Sequence, residues 1–161
     1  MKVSTVAALI AVICGATFTP RLVGAVCLDP KSNGSISGYH VPLDEEIRST
    51  PVIAIGEVIS NQNLTDGPDG PDFIAATIYT IRIERVLKGR LPRQIELRNE
   101  NDSGRYPIGV GERHVLFLRP LDPRFGAGYW ADSCGNSAQL PSGESVVKRV
   151  QAQLGKRGHA L

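Results

Sequence analysis

The chain has 161 residues, which is the usual length of a single domain. It contains 18 Lys and Arg against 16 Asp and Glu, but the first 25 residues hold two of the bases, Lys2 and Arg21, and no acid, so the remainder is formally neutral. A neutral remainder without a basic stripe excludes nucleic acid as an expected partner, because such binding depends on neutralising phosphates.

The N-terminal segment predicts export. Lys2 precedes an unbroken apolar run over residues 6–16, Pro20 follows the run, and Ala25 supplies the small residue typical of a cleavage site. We therefore predict a signal peptide over residues 1–25 and a periplasmic or extracellular location. The run is shorter than the about 20 apolar residues of a membrane-spanning helix, so we expect no stable membrane insertion after cleavage.

Two cysteines follow the leader, Cys27 and Cys134, and an even number in an exported chain predicts a disulfide between them. Three other roles fit the residues less well. A lipidated cysteine usually follows a small residue, whereas Val26 precedes Cys27. A zinc site would need His40 or His114, but no C-x-x-C pair accompanies them. The acid in the VCLDP segment raises the pKa of a thiol and does not activate it.

Residues 26–42 predict an extended N-terminal arm, because Gly, Ser, Asn and Pro are frequent there and no period is visible. A short helix is expected over residues 43–49, with Asp44 as its cap. A strand is predicted over residues 52–60, where Gly56 indicates a bend or a bulge.

Four further strands are predicted after a loop at residues 61–72, whose aspartates lack the spacing of a calcium site. The first of them is apolar on both faces, which indicates a long strand that serves two parts of a curved sheet. In the last of them, Tyr129 and Trp130 supply large apolar area. The four strands cover residues 73–89, 93–99, 113–120 and 128–134.

The C-terminal sequence changes to a helical period. We predict a helix over residues 143–154, capped by Ser142 and ended by Gly155, and we expect it to pack on the barrel. Residues 155–161 are expected to fray. The apolar face of this helix consists of Val146, Val147, Val150 and Leu154.

Five strands separated by turn signals predict a mainly β fold, a five-stranded OB-like barrel with a C-terminal amphipathic helix and a short N-terminal helix. The order of features adds a resemblance. A glycine-bent first strand (VIAIGEV), a second strand ending in VLKG, then GVGERHVLFL and a late SCGNSAQL together resemble the netrin-like module in its exported bacterial form. The resemblance covers Cys27 and residues 43–154 and implies one barrel domain.

The best-known netrin-like modules are the tissue inhibitors of metalloproteinases, so the resemblance implies a protein-binding function. In those inhibitors an N-terminal cysteine, pinned by a disulfide, chelates the protease zinc through its α-amine and carbonyl. By position, Cys27 corresponds to that cysteine and Cys134 to the late cysteine of the module. The sequence departs from the family because Leu28 and Asp29 replace its C-x-C start. The predicted cleavage also leaves Val26 ahead of Cys27, which argues against zinc chelation.

No catalytic constellation is visible, so we expect no enzymatic activity, no cofactor and no metal. His114 lies among apolar residues of a predicted buried strand, which is typical of a structural histidine. No G-x-S-x-G elbow and no phosphate-binding glycine loop occur, and Glu57 and Glu84 have ordinary positions on the solvent side of strands.

The sequence-based hypothesis is an exported monomer that binds another protein, with inhibition of a secreted or envelope enzyme as one form of that function. The alternative is a structural or accessory envelope protein without inhibitory activity, and a sugar-binding barrel or small hydrolase comes third. The contact is expected in the disulfide-pinned arm and a neighbouring polar loop, because loops carried by rigid barrels often bind partners. The expected contact residues are Val26, Cys27, Leu28, Asp29, Asn99, Asn101 and Arg105.

Overall fold

The computed structural model of the protein describes residues 27–32, 38–65 and 73–158. Its strands in chain order are β1 (Val52–Leu64), β2 (Ala76–Lys88), β3 (Gln94–Glu100), β4 (Arg113–Pro120), β5 (Tyr129–Ala131) and β6 (Ala138–Gln139). The first five close a barrel in the spatial order β1, β2, β3, β5, β4 and back to β1. The predicted mainly β, OB-like architecture is therefore confirmed.

Neighbouring strands of the barrel are antiparallel, except that β3 and β5 pair in parallel at Leu97 and Tyr129. The short β6, which the sequence did not predict, pairs with the start of β4. Two α-helices flank the barrel, α1 (Leu43–Ser49) and α2 (Glu144–Gly158). The predicted signal peptide, Val26 and several residues of the predicted arm, loop and tail lie outside the described residues.

Gly56 allows β1 to bend far enough to serve two neighbours. β1 pairs with β2 along its whole length and with β4 over residues 52–57, and a register shift in the first pairing lies directly before Gly56. A Cβ atom at Gly56 would lie 2.6 Å from the Cγ2 of Ile81 and 3.0 Å from the carbonyl oxygen of Arg82. Only glycine fits this close approach of β1 and β2, so the predicted bend is confirmed.

Apolar clusters lie on both faces of β4. Leu116 and Leu118 point into the barrel, whereas Val115 and Phe117 point outwards and pack against the helices. A strand with both faces covered is apolar at successive positions, and this explains the RHVLFLRP sequence. The inner cluster also contains Val58, Ile81, Ile95 and Leu97, and the outer cluster also contains Ile47, Ile53, Val147 and Val150.

The predicted apolar face of α2 is confirmed, because Val147 and Val150 are buried and Val146 and Leu154 are partly buried against the outer cluster. Both predicted ends of the helix are wrong. α2 begins after Gly143 and not after Ser142, and it continues through Gly155. Gly155 does not adopt the left-handed conformation by which glycine usually ends a helix, so its backbone remains helical.

Asp44 does not cap α1, which was the prediction. The helix spans Leu43–Ser49, as predicted, and Pro42 precedes it without a capping side chain. The Asp44 carboxylate instead accepts two hydrogen bonds from Arg149 of α2, at 3.0 and 2.8 Å. The side chain thus joins the two helices, a role that depends on tertiary contact.

Strand lengths also differ from the predictions. β1 extends to Leu64, into the predicted loop, because its last residues pair with β2. β2 begins at Ala76 and not at residue 73. β5 ends at Ala131, since the chain turns before Cys134. Trp130 is 37% exposed because its side chain lies on the outer face of the barrel.

The close approach at Gly56 gives a test with a matched control. We expect Gly56→Ala to lower the free energy of unfolding by about 1–3 kcal/mol, because the added Cβ forces β1 and β2 apart. Gly155→Ala adds a methyl group to open space on α2, and should raise stability by roughly 0.5–1 kcal/mol through helix propensity. Urea unfolding followed by circular dichroism measures both, and equal effects of the two variants would contradict this account.

Candidate functional site

A disulfide joins the N-terminal arm to the segment after β5. The Cα atoms of Cys27 and Cys134 lie 5.5 Å apart, and 107 positions separate the two residues in sequence. The Tyr39 amide donates to the Cys27 carbonyl at 3.0 Å, and the Val41 amide donates to the Cys134 carbonyl at 3.1 Å. The predicted disulfide is confirmed, and main-chain hydrogen bonds extend the attachment on both sides of it.

The other predicted contact residues of the arm have different environments. Leu28 is 50% exposed, directly after the buried Cys27. The Asp29 carboxylate accepts a hydrogen bond from the Lys31 amide at 2.9 Å and so closes the short turn at Pro30–Ser32. Leu28 therefore presents an apolar side chain to solvent directly beside the disulfide.

Glu46 of α1 holds the same region from inside the protein. Its side chain is buried, and its Oε2 accepts hydrogen bonds from the backbone amide and from the Nδ2 of Asn136, both at 2.7 Å. The Nδ2 of Asn136 also donates to the Val41 carbonyl at 2.8 Å. The Glu46 carboxylate and the Asn136 amide together thus connect α1, the arm and the chain just after the disulfide.

Glu46 packs closely against Gly135, because a Cβ atom at that position would clash with the Glu46 Oε1 in its observed position. Burial raises the pKa of the Glu46 carboxyl above its usual value, although the hydrogen bonds from Asn136 act in the opposite direction. The sequence analysis did not single out Glu46. Its spacing from Leu43 and Ile47 puts it on the apolar face of α1, and this signal could have identified it.

A groove of about 300 Å³ lies on the outer face of the barrel, between the loop after β3 and the loop after β4. β3 and β5 form its floor, because alternate residues of these strands point away from the barrel interior. Its principal side chains are Arg98, Glu100, Asp102, Arg105, Asp122, Phe125, Trp130 and Asp132.

Two exposed aromatic rings flank this groove. Phe125 is 54% exposed and Trp130 is 37% exposed. The guanidinium of Arg98 lies 5.3 Å from the centre of the Phe125 ring, and its Nε donates to Glu100 at 2.5 Å. Phe125 lies in the turn sequence PRFGAG, between a proline and two glycines. Turns lie at the surface, so an aromatic residue in this turn indicates an exposed ring, and the sequence analysis did not use this indication.

The three predicted loop residues have separate roles. Arg105 lines the groove, and its Nη1 donates to the Oδ1 of Asn101 at 2.9 Å. Asn101 also donates to the Ile74 carbonyl at 2.9 Å, and so joins this loop to the chain before β2. Asn99 is buried and exchanges hydrogen bonds with the main chain of Tyr106, at 2.8 and 3.0 Å, so it shapes the loop from inside.

The groove and the disulfide are neighbours in the structure. Asp132 lines the groove, and its Oδ1 accepts a hydrogen bond from the Cys134 amide at 2.8 Å. Cys134 carries the disulfide to Cys27. The structure therefore places the fixed start of the arm next to the Asp132 end of the groove.

His114 is a buried member of the barrel interior. Its Nδ1 lies 2.8 Å from the Tyr106 hydroxyl and its Nε2 lies 3.0 Å from the Glu112 carboxylate. A carboxylate only accepts, so Nε2 carries the proton and Nδ1 accepts from Tyr106. Burial lowers the pKa of the His114 imidazole, although Glu112 opposes this effect. Both ring nitrogens are thus occupied by partners that hold the loop between β3 and β4.

In the described ranges, no three His, Cys, Asp or Glu residues are grouped closely enough to hold a metal ion. Among these same residues, no helix has the length and apolar character needed to cross a membrane.

No protein-family model matches the chain, and no curated protein matches its sequence.

The long loop closed by the disulfide predicts a large effect on stability. We expect Cys27→Ser/Cys134→Ser to lower the free energy of unfolding by about 4–5 kcal/mol, because the bridge restricts the unfolded chain. Urea unfolding of the two proteins at one pH measures the difference. A loss no larger than about 1 kcal/mol would show that the bridge is not a main source of stability.

The buried Glu46 predicts a pH dependence. Its folded pKa is raised from the ordinary 4.5, so its contribution to stability is complete below that value and is lost as pH rises through the folded pKa. Glu46→Gln cannot lose a proton, so its free energy of unfolding should decrease less than that of the wild-type protein as pH rises through the folded pKa of Glu46. Urea midpoints of the wild-type protein and of Glu46→Gln, measured from acid to neutral pH, provide the test. An unchanged slope in Glu46→Gln would refute the assignment.

Proposed function

We propose that the protein is an exported, netrin-like module that binds another protein through the groove and the adjoining arm. The observation that carries this proposal is the pair of exposed aromatic rings, Phe125 and Trp130, on a groove that also holds Arg98 and Arg105. Aromatic and arginine side chains are the residues that most often dominate protein interfaces.

Preorganisation supports the same proposal. Arg98 is held by Glu100 and by the Phe125 ring, and Arg105 is held by Asn101. Side chains that are already ordered lose less conformational entropy on binding, so the groove offers charged groups at a reduced cost. The arm next to it is fixed by a disulfide and presents Leu28 to solvent.

Export is supported by two independent features. The N-terminal sequence has the layout of a signal peptide. The Cys27–Cys134 disulfide is the kind of bond that persists in oxidising compartments, such as the periplasm or the extracellular space. Inhibition of a secreted or envelope enzyme is the form of binding that the netrin-like resemblance favours, with the groove and the arm acting together on the target.

Site-specific photocross-linking tests this function. A photoreactive phenylalanine analogue replaces Trp130 in the groove, and in the control protein it replaces Val86, an exposed apolar residue of β2 outside the groove lining. Each protein is incubated with the envelope fraction of the organism that encodes the chain. We expect one dominant cross-linked protein from position 130 and none from position 86.

Groove substitutions then test specificity. Arg105→Ala/Phe125→Ala should reduce capture of that protein at least about tenfold, because interface anchors of these types typically contribute more than 1.4 kcal/mol each. Phe73→Ala, which removes an exposed aromatic ring outside the groove lining, should leave capture unchanged. Identical products from both cross-linking positions, or no product at position 130, would refute the binding proposal.

A further inference from the structure

Among the residues that the structure describes, the distal half of β1 has a neighbouring strand on only one side. Pairing with β4 ends at Glu57, and the Val58 main chain then bonds Glu112 and Gly111, at 2.9 and 2.8 Å. Over residues 60–64, the only strand in the described part of the chain that pairs with β1 is β2. The other edge of this stretch therefore presents main-chain N–H and C=O groups that no described residue satisfies.

This edge lacks the usual protection against strand pairing. The segment Ser60–Leu64, SNQNL, contains no charged residue and no proline, and the register shift of this region lies before it, between Val58 and Ser60. Folded proteins normally blunt exposed strand edges with charges, prolines or bulges. An edge of five regular, uncharged residues is suited to receive another strand.

Exposed apolar side chains border the same edge. Ile59 is 38% exposed, and Val110 is 54% exposed beside Gly111, whose amide bonds the Val58 carbonyl. They lie at the point where β1 leaves the barrel. A strand added along Ser60–Leu64 would bring a second chain next to Ile59, where the added strand ends.

We propose that Ser60–Leu64 pairs antiparallel with the same segment of a second copy of the chain, with the two-fold axis at Gln62. In this register Asn61 lies opposite the partner's Asn63, and Gln62 lies opposite the partner's Gln62. Amide side chains both donate and accept hydrogen bonds, so the segment is complementary to itself. β1, β2 and β3 of the two copies then form one continuous sheet.

The absence of charge favours a second copy over a different partner. A charged edge would place like charges opposite each other in a symmetric pair, which is destabilising, whereas this segment has none. The groove that we propose for partner binding carries charged residues of both signs and shares no residue with this edge. The proposed dimer therefore does not depend on partner binding at the groove, and we propose it in place of the sequence-based expectation of a monomer.

Sedimentation equilibrium of the mature, disulfide-intact protein tests the proposal without any partner. We expect a reversible monomer–dimer equilibrium between micromolar and millimolar concentration. Gln62→Lys places two lysines opposite each other at the axis and should weaken dimerisation roughly tenfold or more. Ser145→Lys adds the same charge on the exposed face of α2 and should leave dimerisation unchanged. A monomer at every concentration, or a dimer that Gln62→Lys does not weaken, overturns the proposal.

Cysteine substitution tests the register. Residues directly opposite in an antiparallel pair have Cα atoms about 4.5–5.5 Å apart, and a disulfide can bridge that distance. Gln62→Cys should therefore form a covalent dimer under mild oxidation. Ser60→Cys lies two residues from the axis, so the two copies of the thiol are too far apart to bond. Equal cross-linking at both positions would indicate random collision and would overturn the proposed pairing.

Discussion

The pairing of β1 on both of its edges is the constraint on which the rest of the structure depends. β1 contacts β2 along its length and β4 over residues 52–57, and this closes the barrel. The strand achieves it by bending at Gly56, where the approach of Ile81 leaves no space for a side chain. Since β4 follows β1 only to the bend, one edge of β1 beyond it pairs with no strand in the described part of the chain. The closed core and the surface proposed for self-association thus have the same geometric origin.

Closure of the barrel also determines what its outer faces can do. The outer face of β1 and β4 is apolar and is covered by α1 and α2, so that surface is used for stability. α1 and α2 pack on the β1 and β4 side, whereas the outer face of β3 and β5 carries the groove with Phe125 and Trp130. A strand face that is not needed for the core is available for recognition, and this division between the two sides of the barrel underlies the proposed function.

The arm is attached to the barrel by interactions of different physical types at one place. The disulfide at Cys134 restricts the unfolded chain, main-chain hydrogen bonds to Tyr39 and Val41 fix the arm, and Glu46 with Asn136 holds the segment from inside. Because Asp132 connects this region to the groove, the same contacts that stabilise the fold also order the proposed binding surface. In the proposed dimer, two such surfaces would be carried on one continuous sheet.

The sequence by itself determined the features that depend on local pattern: the mainly β class, the bend at Gly56, the apolar face of α2 and, from the even number of cysteines after the leader, the disulfide. Period and composition report which residues are buried, and those signals are local. Only the tertiary structure decided the ends of β1, the pairing of Asp44 with Arg149, the hydrogen bonds of Asn136 to Glu46, the exposure of Trp130 and the position of the groove. Each of these depends on which distant segment lies opposite a residue, and a chain pattern with a period of two or 3.6 residues carries no information about that segment.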